Sequence, residues 1–162
     1  MPAKASVLAA LQRLLDGSLW LGAELDLTYR VLSLTIEVPE GSDTLISGQG
    51  DRRCQILLSP SSQVAACLRV AGDPARVETF EVEQLADVVA AMGHPALSGQ
   101  MIGAAEPTDW PAISVEGRSK ALDGVTHRIL LETTAGDRSL SLFARFDDVE
   151  VRDPSGEPVA II

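Results

Sequence analysis

Val7, Leu8, Leu11, Leu14 and Leu15 fall on one side of a helical wheel, with Gln12, Arg13 and Asp16 elsewhere on it. This is the period of an amphipathic helix, and Gly17, which can take the left-handed conformation that closes a helix, follows directly. The pattern predicts a first helix over about residues 4–16, its apolar stripe docked on a sheet. The period then drops to two. Leu25, Leu27 and Tyr29 alternate with other residues, and so do Leu32, Leu34, Ile36 and Val38, but the two sets are out of phase. A one-residue slip turns every later side chain to the other face, so a bulge or tight turn is expected near Arg30. Pro39 and Gly41 end the strand, and EGSDTLISGQGDRR reads as a loop.

The stretch RCQILLSPSSQVAACLRV, residues 53–70, holds both cysteines of the chain. Cys54, Ile56 and Leu58 share one parity, as do Val64, Ala66, Leu68 and Val70, and Ser59-Pro60-Ser61-Ser62-Gln63 between them is turn chemistry. The reading is a hairpin with Leu58 opposite Val64 and Cys54 opposite Leu68. A register pairing Cys54 with Cys67 would put Ile56 and Leu68 on opposite faces. Each apolar side chain buried is worth roughly 1.5–3 kcal/mol, so burial of several outweighs one short-loop disulfide of about 3 kcal/mol. Two separate thiols are expected, Cys54 in the core and Cys67 nearer solvent.

Farther on, RVETFEV predicts a short strand, and Leu85, Val88, Val89 and Met92 mark a second helix over about residues 83–92, stopped by Gly93. HPALSGQMIGAAEPTDW has no clear period and reads as a long loop; WPAISVEG reads as a strand. Ile129, Leu131 and Thr133 alternate up to a turn at Thr134-Ala135-Gly136-Asp137. Leu140, Leu142, Ala144 and Phe146 alternate on the return, Asp147-Asp148 shifts the phase, and Val149 and Val151 continue. Asp153-Pro154-Ser155-Gly156 signals a turn into a terminal strand, PVAII. The fold class expected is α+β: a mostly antiparallel, curved or barrel-like sheet of β-hairpins, roughly seven to nine strands, with two packed helices. Residues 1–162 are read as a single globular domain.

Charge narrows the partners. Thirteen basic against 23 acidic residues give a formal net charge of −10, which repels phosphate backbones and anionic lipid and suits a basic partner. No nucleic acid and no membrane are therefore expected. The start, MPAKASVLAALQRLLDG, has Gln12 and Arg13 interrupting its apolar run and is read as a helix rather than a secretion signal. A cytoplasmic location is expected.

The search for chemistry returns little. His94 and His127 have no second ligand at a metal-binding spacing, and neither a nucleophile elbow nor a phosphate-binding glycine loop is present. Arg52-Arg53 beside Gly48-Gln49-Gly50 could hold one phosphate or serve as edge charges that discourage sheet pairing. The arginine pair resembles that of PilZ-type receptors, but the D-x-S-x-x-G motif of that family does not occur, and nothing is carried over from it. FDDVEVRDPSGE gathers Asp147, Asp148, Glu150, Asp153 and Glu157; it reads first as a solvated strand face, second as an acidic patch for a partner and only third as carboxylates for acid–base catalysis. Trp110 closes the long loop and is either core or a binding anchor.

The function expected is non-enzymatic protein–protein interaction, of the adaptor, chaperone-like or inhibitor type, with no cofactor, no metal and no catalytic residues. Its contacts are Trp110, His94, Asp147, Asp148 and Glu150, its partner is a protein, with a basic one suited to the charge, and an edge strand offers a route to a homodimer. The alternative is a small-molecule-binding domain, with an apolar pocket in the curved sheet roofed by residues 94–111.

Overall fold

The computed structural model describes residues 5–26, 28–39, 52–74, 76–78, 80, 84–102, 113–115 and 127–159. Helix α1 spans Ala5–Leu15 and helix α2 Leu85–Ala91; the strands are β1 Leu19–Asp26, β2 Val31–Glu37, β3 Arg53–Val70, β4 Arg76–Glu78, β5 Leu97–Ile102, β6 Ile113–Val115, β7 His127–Ala135 and β8 Arg138–Arg152. All pairings are antiparallel, in the order β1-β2-β3-β8-β7-β5, with β4 and β6 on β3. Among the described residues no helix is long and apolar enough to cross a membrane.

The sheet curves until its two ends meet. Leu19 at the start of β1 bridges Ala96, just before β5. Around it Trp20 N–H donates to Pro95 O at 3.0 Å, Leu97 N–H to Ser18 O at 2.8 Å and Gly17 N–H to Leu97 O at 3.3 Å. Thr133 Oγ1, buried in β7, donates to Ala96 O at 2.7 Å. Both sides of this clasp come straight out of helix ends. Gly17 (φ 75°) turns the chain from α1 into β1, a conformation open to glycine because it lacks a Cβ. Gly93 (φ 77°) and His94 (φ 51°) do the same between α2 and β5.

The concave face is filled by Trp20 and Ala23 of β1, Leu32, Leu34 and Ile36 of β2, even-numbered residues of β3, Ile129 and Leu131 of β7, and Leu140, Leu142, Ala144 and Phe146 of β8. Leu11, Leu14 and Leu15 of α1 and Leu85 and Val89 of α2 pack onto it, as single apolar stripes require. The predicted slip near Arg30 is a tight turn, with Arg30 at φ 54° and Asp26 Oδ1 accepting from Thr28 N–H (2.9 Å) and Tyr29 N–H (3.2 Å). Tyr29 is accordingly 75 % exposed in the turn and not part of a buried strand face; Leu27 lies outside the described residues. The two-residue turn between β7 and β8 also stands where expected, with Gly136 at φ 61°.

Residues 53–70 overturn the hairpin. They are one strand, paired with β8 from Gln55↔Arg152 to Val70↔Arg138. Cys54 lies opposite Ile36 of β2, and Cys67 opposite Ser141 of β8. Core residues on β3 run 54, 56, 58, then Ser61, then 64, 66, 68, 70. The first slip matches the slip at Asp147-Asp148 on β8, since Ser61 faces the buried Phe146 while Leu58 faces Val149. A bulge between Ser62 and Ala65 supplies the second. Ser61 suits the bend: its N–H donates to Arg30 O (2.6 Å) and its hydroxyl to Leu58 O (2.7 Å). Turn-like residues here bend a strand instead of reversing it.

Cys67 is 1 % exposed, which corrects the expectation of a thiol near solvent. It does point away from the main core, as its parity requires, but Ser141 and Phe143 of β8 are buried with it on that second face. Both thiols are buried, and neither is in a disulfide. Burial raises the Cys54 thiol from its ordinary 9.0 to about 12. The neutral thiol is thus favoured in the folded chain. Its contribution to stability is complete below pH 9.0 and is lost as pH rises towards about 12. Urea midpoints should therefore fall over that window and fall less steeply in Cys54→Ala; parallel profiles would count against the assignment.

A candidate partner-binding face

The outer face of β1, β2, β3 and β8 is built by register. Outward positions alternate with core positions, so antiparallel partners share a face. Glu24 pairs Ser33, Ser33 pairs Leu57 and Leu57 pairs Glu150, giving one row across four strands. The next row toward the clasp is Gly22, Thr35, Gln55 and Arg152, and beyond it come Leu19, Glu37 and Arg53. On the other side Asp26 pairs Val31, and Ser59 pairs Asp148.

Glu24 and Asp26 on β1, and Asp148 and Glu150 on β8, are all exposed. They form two carboxylate rails separated by three inter-strand spacings, about 14 Å. Between them lie Val31 and Leu57, half-buried, with Ser33 and Ser59. Among the described residues β7 pairs with β8 as far as His127↔Phe146, and the β8 rail lies beyond that pair. Each rail is anchored locally. Asp26 holds the turn described above, Asp148 Oδ1 accepts from Val149 N–H at 2.9 Å, and Glu150 Oε2 pairs with Arg152 Nη2 at 3.1 Å. Two of the residues singled out in the sequence, Asp148 and Glu150, thus belong to one face. Asp147 sits half-buried at the phase slip. His94 is exposed at the end of α2, its N–H bonded to Val89 O at 3.2 Å, and belongs to the clasp rather than the face. Trp110 lies outside the described residues, as does all of 103–111. The earlier part of segment 94–111 is strand β5, so that part joins the sheet and does not lie across it.

Glu24 and Asp26 carried no signal as site residues in the sequence. They lie more than a hundred residues from Asp148, and only the strand order sets them on a common face with it. Among the described residues no group of three or more His, Cys, Asp and Glu is placed to hold a metal.

At the clasp-side edge of the face a turn stands over the sheet. Asp153 Oδ1 accepts from Ser155 Oγ (2.6 Å), Ser155 N–H (2.9 Å) and Glu157 N–H (3.0 Å). The Ser155 hydroxyl, followed by the backbone donors, lowers the Asp153 pKa. Thr35, Arg53, Cys54, Gln55, Asp153, Pro154 and Gly156 line an open groove of about 270 Å³ between turn and sheet. Comparison with protein families, curated proteins and solved structures finds no match.

Proposed function

We propose that the protein acts without catalysis, by binding a basic segment of another protein across the outer face of β1, β2, β3 and β8. The observation that supports this reading is the row Glu24-Ser33-Leu57-Glu150 and its neighbours, where half-buried apolar side chains lie between two carboxylate rails. A net charge of −10 steers cations toward such a surface. The rails select for Lys or Arg on either side of the partner, and Val31 and Leu57 offer apolar contact between them. The concave side is a poorer candidate, since aliphatic side chains, Trp20 and Phe146 fill it.

Fluorescence anisotropy with a labelled Lys/Arg-rich peptide carrying a central apolar residue tests the reading. Glu24→Gln with Glu150→Gln should weaken binding about tenfold, and raising salt should weaken the native protein more than the variant. Both substituted residues are exposed, and surface changes of this kind typically alter stability by only about 0.5 kcal/mol. Equal affinity of native and variant protein, or no dependence on salt, would rule the face out.

A further inference from the structure

The groove at the end of β8 is built independently of the carboxylate rails. β8 finishes at Arg152, and the chain doubles back through a turn held by Asp153 N–H to Glu157 O (2.9 Å) and Gly156 N–H to Asp153 O (2.9 Å). Val159 N–H donates to Val151 O at 2.8 Å, and Arg152 bridges Pro158, so the turn is fixed to the strand it leaves. One wall of the groove is therefore rigid before anything binds. The floor is sheet, where Thr35 and Gln55 are direct partners and Arg53 is the next outward residue of β3.

The floor is rich in donors. Arg53 brings a guanidinium, Gln55 an amide and Thr35 a hydroxyl. Beside Gln55 in the same row stands Arg152. Its Nη2 donates to Glu150 and its Nε is buried, so Arg152 stands behind the groove and does not line it. The opposite wall carries Asp153, whose Oδ1 is taken up by the turn and whose charge disfavours a polyanion. A volume of about 270 Å³ lies below the roughly 300–1,000 Å³ of drug-sized sites. The occupant is then small and singly negative at one end, with a donor at the other.

We propose that this groove binds a small carboxylic acid bearing an amino or hydroxyl group on the adjacent carbon. Its carboxylate faces Arg53 and Gln55, and its donor faces Asp153. The inference goes beyond the protein-binding face and does not depend on it, because neutralising Glu24 leaves every groove residue in place.

Amide chemical shifts of the full chain, titrated with L-alanine, L-lactate, acetate and inorganic phosphate, test it. Alanine or lactate should move the amides of Arg53, Gln55, Ser155 and Gly156 and leave those of β7 unmoved. Acetate, which lacks the second donor, should bind about tenfold more weakly. Arg53→Gln should lose about tenfold in affinity for alanine or lactate, the cost of one charge-assisted contact, and Thr35→Val should lose less. The unchanged remainder of each spectrum reports that the variant is folded. Either order of alanine and lactate supports the site and identifies the donor it prefers. Phosphate or acetate binding as tightly as alanine would reduce the groove to a plain anion patch and overturn the proposal. So would an Arg53→Gln variant that binds as the native chain does, or the absence of any shift with alanine and lactate.

Discussion

Trp20→Ala should lower the stability of the domain by about 3–5 kcal/mol, the range for deleting a large aromatic from a packed core. Trp20 is fully buried and belongs to the same core cluster as Leu85 and Val89 of α2. It is also where the sheet closes on itself. Its backbone N–H donates to Pro95 O, and its ring Nε1–H donates to Gly22 O at 3.1 Å across a bulge in β1. Removing the ring empties the space beneath α2 and frees the segment that joins β1 to β5. Domains are stable by only about 5–15 kcal/mol, so this one change removes a large part of the total. Urea denaturation should show a much lower midpoint. Tyr29→Ala, in the exposed turn, should leave the midpoint within error. A Trp20→Ala midpoint close to that of Tyr29→Ala would mean that the core does not converge on the clasp.

Part of this architecture was legible because it is local. The helix over about 4–16, the tight turn at Arg30, the slip at Asp147-Asp148 and the Gly136 turn are written in spacings of a few residues, and the structure has each of them. The clasp was not legible. It joins residues 17–20 to residues 95–97, and nothing in either short segment names the other. β5 was missed for a related reason: LSGQMI, with its serine, glycine and glutamine, lacks an apolar alternation. The partner-binding face divides in the same way. Asp148 and Glu150 stood out as acidic neighbours on a strand. Glu24 and Asp26 joined them only once the order β1-β2-β3-β8 was known, because antiparallel registry and not sequence distance decides which carboxylates share a surface.

The sharpest error, the hairpin over residues 53–70, leads to the second large prediction. Parity and turn chemistry both favoured a reversal at Ser59–Gln63. What they left out was β8, whose fifteen residues offer a pairing partner along most of β3. Two phase slips on β3, one shared with β8 and one taken up by a bulge, let a continuous strand keep the parity that a hairpin would also have produced. The two arrangements differ most at Cys67. In a hairpin it lies near solvent, and a lysine there would be harmless. In the continuous strand it is 1 % exposed and opposite the buried Ser141. Cys67→Lys must then bury an ammonium, distort the sheet to release it, or surrender the proton, and each route costs several kcal/mol. The variant should lose about as much stability as Trp20→Ala, whereas Arg69→Lys, on the same face of β3 but exposed, should change it by about 0.5 kcal/mol or less. The fold should also protect the thiol, with Cys67 labelled by a thiol reagent only as fast as the chain opens. A Cys67→Lys protein with a native urea midpoint, or a Cys67 thiol labelled rapidly under native conditions, would restore the hairpin and dismantle the face built on the pairing of β3 with β8.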